Sequence, residues 1–163
     1  RYLNEILEHE IALTKRNLYC LSIIILDLDF FKKVNDTYGH GVGDQVLLAT
    51  TEVLQNCTRT TDYIGRFGGE EFLIILPNCD AKMSVVVAER YRKALEERQL
   101  KVGDNTVQVT GSFGLTTMLP TNTCEYHMQM CLDKLITTAD QALYDAKEQG
   151  RNSVRFRARS GCG

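Results

Sequence analysis

The apolar residues of the chain follow two spacings, one typical of helices and one typical of strands. Residues 2–16 repeat apolar side chains every three or four positions, which predicts an amphipathic helix. Residues 20–28 are almost continuously apolar and rich in β-branched side chains, as in a strand that is covered on both faces. Three further stretches have the helical spacing: 44–57, 81–99 and 133–149. The pattern therefore predicts a domain that mixes helices with a sheet.

Two short apolar runs, 62–67 and 72–76, flank the pair Gly68-Gly69. A Gly-Gly pair between two strands predicts a tight hairpin in which both turn residues have positive φ. Asp80 is placed to cap the helix that begins at residue 81, and Gly150 is placed to end the last helix. The hairpin is thus expected between two helices.

The rest of the chain supplies two more strands and two connections. Residues 103–105 predict a turn into a strand over about 107–115, and residues 153–156 predict an edge strand. Segments 30–43 and 116–129 are polar or interrupted by glycine or proline, which predicts loops.

The order of these elements matches a βαββαβ core of the α+β class, a ferredoxin-like or palm-type arrangement with a mostly antiparallel sheet flanked by helices. Right-handed crossovers place the second hairpin strand between the first strand and the first hairpin strand. Asp27 and Asp29, at the end of the first strand, then lie beside Glu70 and Glu71. Repulsion among these carboxylates opposes folding unless a cation is bound, so the pattern predicts Mg²⁺ and a triphosphate at this edge. The alternative is an acidic surface turn.

Composition and charge mainly exclude certain partners and locations for this chain. The chain has 163 residues, of which 44% are hydrophobic, and a formal charge of -2, which argues against a nucleic acid duplex as partner. No apolar run reaches the ~20 residues of a membrane span. Six cysteines without a CxxC pair predict reduced thiols and a cytoplasmic domain, although the full-length protein could be anchored in a membrane. We expect a helix over 1–17 that leads from a missing upstream module, a catalytic domain over 18–157 and a disordered tail over 158–163.

Three motifs in a fixed order resemble the GGDEF-domain family of bacterial diguanylate cyclases. They are Gly68-Gly69-Glu70-Glu71-Phe72, the run from Asp27 to His40 followed by Gly43-Asp44, and the run from Ala139 to Lys147 followed by Gly150-Arg151-Asn152. The resemblance covers residues 2–156, and only the Asp-x-Leu-Thr-Gly-Leu stretch that usually precedes the first helix is absent. It implies the condensation of two GTP molecules into cyclic di-GMP with release of two pyrophosphates.

The resemblance also implies roles for the acidic residues. Asp27, the backbone carbonyl of Leu28, and Glu70 would bind Mg²⁺, with Mn²⁺ as an alternative ion and two ions in each half-site. Glu71 would be either a second acid at the metals or the general base. Lys32 would stabilise charge in the transition state. For Asp29, a structural role is favoured.

The substrate would be held by residues from all three motifs. Asn35 and Asp44 would read guanine, since a carboxylate accepts hydrogen bonds from N1–H and the exocyclic amine of guanine, which argues for GTP over ATP. Other contacts would come from Phe30, Phe31, His40, Gly69, Lys147 and Arg151. The alternatives are an Asx turn at Asn35, a turn residue at His40, and compensation of the helix dipole by Lys147 and Arg151.

One further motif, Arg59-Thr60-Thr61-Asp62, lies five residues before Gly68. It resembles the product-inhibition site of the family, in which Arg59 and Asp62 would bind cyclic di-GMP together with Arg90. A half-site holds one GTP, so catalysis would need a two-fold homodimer. Two other functions remain open: a non-catalytic receptor for cyclic di-GMP or GTP, and a relative that makes another cyclic nucleotide.

Overall fold

The structure, a computed structural model, describes residues 2–120 and 128–159. Its helices and strands are, in chain order, α1 (Tyr2–Asn17), β1 (Leu21–Leu28), α2 (Phe31–Tyr38), α3 (His40–Asn56), β2 (Tyr63–Gly68), β3 (Glu71–Pro77), α4 (Ala81–Glu97), β4 (Gln99–Val102), β5 (Asn105–Gln108), β6 (Gly111–Met118), α5 (Met128–Glu148) and β7 (Val154–Phe156).

A five-stranded sheet in the order β2-β3-β1-β6-β7 forms the centre of the domain. β3 lies between β2 and β1 and is antiparallel to both, as the sequence predicts. β6 pairs antiparallel with β1 on its other side, and β7 adds a parallel edge strand. The predicted α+β fold with a mostly antiparallel sheet is confirmed.

Both faces of the sheet are buried, which explains why β1 is apolar along its whole length. Ile24, Leu26 and Leu28 belong to a core shared with α2, α3 and α4. Leu21, Ile23 and Ile25, which alternate with them, belong to a second core shared with α1 and α5. Asp27 continues this second set, because side chains two apart on a strand share a face. Its carboxylate is therefore directed to the side of the sheet where α5 packs.

Helix α5 approaches the backbone of β6 very closely at Gly114. A Cβ atom added to Gly114 would lie 2.1 Å from the Leu143 nitrogen and 2.3 Å from the Ala139 carbonyl oxygen. These are backbone atoms that no side-chain rotation can move. The absence of a side chain at residue 114 therefore sets the height of α5 above the sheet.

The predicted loop over 30–43 is wrong, because most of it is helical. Phe31 and Val34 are buried three residues apart, which anchors α2 to the core, while the polar residues between them face solvent. Gly39, with a φ of 89°, separates α2 from α3. α3 begins directly after Gly39, at His40, which is four residues before the predicted start at Asp44.

The predicted single strand over 107–115 is also wrong, because it is divided between two sheets. β4 and β5 form a separate hairpin, and only β6 joins the central sheet. The predicted loop over 116–129 is shortened at both ends, since β6 continues to Met118 and α5 begins at Met128. The intervening residues 121–127, which include Cys124, lie outside the described part of the chain, as do residues 160–163 of the predicted tail.

The hairpin forms where predicted, but its turn differs. Among the described glycines, positive φ occurs at Gly39, Gly103 and Gly150 and not at Gly68 or Gly69. Gly68 pairs with Glu71, so Gly69 and Glu70 form the loop, and an irregularity between Arg66 and Gly68 shifts the register. The Nε of Arg66 donates to the Gly69 carbonyl at 2.6 Å. A bulge and a side-chain hydrogen bond thus replace the left-handed turn.

Several local predictions are confirmed. Asp80 caps α4 by accepting a hydrogen bond from the Met83 amide, and Gly150, with a φ of 111°, follows the end of α5. Cys20, Cys57, Cys79 and Cys131 are free thiols in the described part of the chain. Among the residues that the structure covers, no helix combines the length and the apolar character that a membrane span requires.

Candidate functional site

The end of β1 and the start of β3 lie side by side at one end of the inner strands of the sheet, a region that we call the edge of the site. Asp27 is paired with Glu71 in the β1–β3 ladder, and the Leu28 amide donates to the Glu70 carbonyl at 3.3 Å. The structure therefore brings Asp27 together with Glu70 and Glu71, which lie about 40 residues further along the sequence. Lys147 on α5 reaches the same edge, where its Nζ lies 3.0 Å from Oδ2 of Asp27.

The carboxyl groups of Asp27 and Glu71 at this edge have raised pKa values. Burial raises the pKa of Asp27, while Lys147 acts in the opposite direction and Glu70 and Asp29 raise it further. Burial also raises the pKa of Glu71, with additional contributions from Asp27 and Asp140. The site thus collects more negative charge than Lys147 alone compensates, which favours binding of a cation.

Asp140 is a member of this group to which the sequence assigned no role. Burial raises its pKa and Lys147 lowers it. The signal was present in the sequence, because Asp140 precedes Lys147 by seven residues, or two helical turns, on the same face of α5.

The donor set fits a magnesium nucleotide better than an ion held by protein alone. Within residues 2–120 and 128–159, no group of three or more His, Cys, Asp or Glu side chains is close enough to hold a metal ion. Mg²⁺ usually takes one or two carboxylates and completes its shell with water and substrate phosphates. Asp27 and Glu70 could supply these carboxylates, and the remaining ligands would come from the nucleotide.

Asn35 lies against the start of α3 at Gly43, the residue before Asp44. A Cβ added to Gly43 would lie 1.9 Å from Oδ1 of Asn35, so the Asn35 side chain lies directly on the Gly43 backbone. This Oδ1 is buried and accepts no hydrogen bond from any described residue. An unpaired buried acceptor is costly, which makes Asn35 a candidate for contact with a ligand.

Asp44 is exposed in the second turn of α3 and borders a cleft of about 390 Å³. The cleft extends to the base of the hairpin and is lined by Asp44, Leu47, Leu48, Thr51, Arg66 and Phe72. His40 is exposed at the start of α3. This largely apolar cleft between α3 and the hairpin could therefore hold the flat face of a base, with Asp44 at its edge.

The two neighbouring phenylalanines that follow β1 differ in burial. Phe31 is buried in the core, whereas Phe30 has positive φ and a largely exposed ring, with the Arg151 guanidinium 4.8 Å from its centroid. Lys32 is exposed in the first turn of α2. Gly69, at the tip of the hairpin loop, has no atom within 4 Å of an added Cβ. Phe30, Lys32 and Gly69 thus present accessible groups to a ligand.

Arg59, Asp62 and Arg90 form a second cluster at the other end of β2. The Arg59 amide donates to Asp62 at 3.1 Å, and Arg90 donates to the Cys57 carbonyl at 2.6 Å. Burial raises the pKa of Asp62, and the nearby Arg59 and Arg90 lower it. The six residues of β2 separate this cluster from the hairpin loop by roughly 20 Å.

Known proteins match this chain over most of its length. Residues 1–153 match the family described as "Diguanylate cyclase, GGDEF domain". Diguanylate cyclase A of Treponema denticola is 41% identical over 135 residues, which cover 82% of this chain and 34% of that protein. Diguanylate cyclase DosC of Escherichia coli K12 is 36% identical over 156 residues, which cover 96% of this chain and 32% of that protein. The chain thus spans about a third of the length of these curated relatives.

Solved structures share the fold. SiaD from Pseudomonas aeruginosa, a diguanylate cyclase in complex with its activator SiaC, superimposes with a TM-score of 0.86 at 36% identity, covering 96% of this chain and 57% of that one. The GGDEF domain of DgcB from Caulobacter crescentus, in complex with c-di-GMP, gives 0.83 at 29% identity, covering 94% and 87%. Because sequence and fold agree over nearly the full length, the chain belongs to the GGDEF-domain family of diguanylate cyclases, the enzymes that make cyclic di-GMP from GTP.

Proposed function

We propose that this domain condenses two GTP molecules into cyclic di-GMP and releases two pyrophosphates. The observation that carries the proposal is the pairing of Asp27 with Glu71 beside Lys147, at the edge formed by the family's motifs. An edge that combines excess carboxylates with one cation suits a metal-bound triphosphate.

Asp27, Glu70 and the Leu28 carbonyl would hold Mg²⁺, or Mn²⁺ in its place, with two ions in each half-site. When bound, these ions would lower the pKa of the attacking 3′-hydroxyl and neutralise phosphate charge. Glu71, with its raised pKa, is suited to accept the proton of that hydroxyl. Lys32 would stabilise charge that develops during transfer.

Recognition of guanine would rest on the α2–α3 corner. The unpaired Oδ1 of Asn35 and the exposed carboxylate of Asp44 are both acceptors, and guanine offers two adjacent donors. Phe30, Phe31, His40 and Gly69 would surround the nucleotide, and Lys147 and Arg151 would bind its terminal phosphates. ATP presents a different donor pattern and should not replace GTP.

The reaction joins two nucleotides, and each site would hold one. We therefore propose a two-fold homodimer as the active species. Arg59, Asp62 and Arg90 would bind the product as an inhibitor, since an arginine fork matches the O6 and N7 acceptors of guanine. A regulatory module outside this chain is proposed because the curated relatives are about three times as long as the matched part.

Incubation with GTP and Mg²⁺, followed by chromatography of the nucleotides, tests the proposal. We expect cyclic di-GMP from GTP, no product from ATP, and a rate per chain that falls on dilution. Glu70→Ala should abolish synthesis, whereas Glu52→Ala, which removes an exposed carboxylate on α3, should not. Full activity of Glu70→Ala would refute the metal assignment, and tight binding of GTP without any product would indicate a receptor.

A further inference from the structure

The chain after α5 adopts an unusual backbone at Arg151 and Asn152. Both residues have positive φ, 63° and 41°, in direct succession. Such angles are uncommon for an arginine, whereas asparagine adopts them more readily than most residues. The Arg151 amide donates to the Ala146 carbonyl at 3.0 Å, which accounts for one end of this turn. Asn152 supplies the contacts at the other end.

Both polar atoms of the Asn152 side-chain amide are hydrogen-bonded to α4. Its Nδ2 donates to Oε1 of Glu96 at 2.7 Å, and its Oδ1 accepts from Nη1 of Arg92 at 3.0 Å. Arg92 in turn pairs with Glu96 and Glu89. The hydrogen bond from Asn152 is the main reason that the pKa of Glu96 is lowered. Asn152 is therefore fixed to α4 by one hydrogen bond that it donates and one that it accepts.

The backbone of Asn152 is fixed to the end of β1. Its amide donates to Oδ2 of Asp29 at 2.9 Å, across 123 residues of sequence. Asp29 is buried and also accepts from Thr110 at 2.7 Å and Ser112 at 2.6 Å. Three donors converge on one carboxylate, so Asp29 is held rigidly and holds Asn152 in turn. These contacts explain why Asp29 is not directed to the metal edge with Asp27.

Arg151 lies between these fixed points. With Asn152 fixed on one side and α5 on the other, its guanidinium is placed over the exposed ring of Phe30, the residue that follows Asp29. We propose that Asn152 and Asp29 are positioning residues that hold Arg151 on Phe30, where it meets the terminal phosphates of GTP. This inference rests on the proposed function for its ligand, whereas the placement of Arg151 can be tested without any ligand.

The first measurement is made on the nucleotide-free protein. A guanidinium over an aromatic ring shifts the side-chain protons of Arg151 upfield in NMR spectra. Asn152→Gly keeps the left-handed backbone available but removes both side-chain contacts, so we expect this upfield shift to disappear. Glu96→Ala, a milder change on the surface of α4, should reduce it. Glu89→Ala is the matched control, because it removes a carboxylate that pairs with Arg92 without contacting Asn152.

The second measurement compares two nucleotides by calorimetry in the presence of Mg²⁺. The probes are 3′-deoxy-GTP, which cannot condense, and GMP, which lacks the terminal phosphates. Asn152→Gly should weaken binding of 3′-deoxy-GTP about tenfold, as expected for loss of one charge-assisted hydrogen bond, and binding of GMP less than about twofold. The Glu89→Ala control should leave both affinities unchanged.

Each result decides the inference. Loss of the upfield shift together with selective weakening of the triphosphate supports it. An upfield shift that persists in Asn152→Gly, or equal weakening of both nucleotides, overturns it, and Glu96→Ala provides the same tests if Asn152→Gly does not fold. Loss of the shift with unchanged triphosphate binding overturns the role toward the nucleotide. If the unaltered domain makes no cyclic di-GMP, the proposed function fails, while the NMR comparison still tests the positioning of Arg151.

Discussion

Replacing Gly114 by alanine should show how strictly the close packing of α5 on β6 controls the position of Lys147 beside Asp27. The new Cβ would lie 2.1, 2.3 and 2.6 Å from three backbone atoms of α5. Moving the nearest of these atoms to an ordinary contact of 3.4 Å requires a displacement of about 1.3 Å. Since the overlap lies between the backbone of β6 and the backbone of α5, only a shift of the whole helix can relieve it.

The expected loss of stability follows from the cost of overpacking a core. Such substitutions usually cost about 1–3 kcal/mol, and the backbone clash at Gly114 places this one at the upper end. For a domain of this size, that loss corresponds to a decrease in Tm of about 5–10 °C. Urea unfolding monitored by circular dichroism measures the free energy of unfolding directly.

Activity should fall further than stability alone explains. Lys147 lies one turn beyond Leu143, so a helix that moves away from the sheet carries Lys147 away from Asp27, which now lies 3.0 Å from it. A displacement of about 1 Å can reduce catalysis by about 100-fold. We therefore expect a large loss of cyclic di-GMP synthesis at a temperature where the variant is fully folded.

Gly41→Ala is the matched control, because Gly41 lies in α3 and an added Cβ meets no atom within 4 Å. It should leave stability unchanged or raise it slightly, since alanine is favoured over glycine in helices but Gly41 is only the second residue of α3. If Gly114→Ala had the stability and the activity of the unaltered domain, α5 would not be held at the height described above.

Three further predictions concern separate parts of the domain. Arg59→Ala should relieve inhibition by added cyclic di-GMP with little change in initial rate, and an unchanged inhibition curve would exclude Arg59 from the product site. Asp80→Ala should lower the free energy of unfolding by about 1 kcal/mol through loss of the α4 cap, whereas unchanged urea unfolding would show that the cap contributes nothing. Asp27→Asn should stabilise the metal-free protein at neutral pH. Burial raises the pKa of Asp27 above its ordinary 3.8, so ionisation costs stability as the pH rises from 3.8 through the raised pKa. The Tm difference between Asp27→Asn and the unaltered domain should therefore grow over that range, and a constant difference would contradict it.

Elements whose evidence is local could be predicted from the amino-acid sequence alone. The continuous apolar run of β1 and the cap at Asp80 depend on neighbouring residues, and both are confirmed. The β1–β3 pairing could also be predicted, because the handedness of crossover connections leaves few topologies for this order of elements. Local evidence failed at α2, where two buried side chains outweigh the polar and glycine-rich composition.

Which side chains of α5 and of the turn after it meet the end of β1 could not be predicted from the sequence. The sequence pattern placed Lys147 and Asp27 in different motifs, and their contact depends on how closely α5 packs onto β6 at Gly114. The same holds for Asn152 and Asp29, which are joined because β1, α4 and the end of α5 converge. Periodicity shows which face of an element is buried, but not its height or register against a partner. Those depend on the packing of backbone against backbone over the whole core, and they position the charged groups of the site.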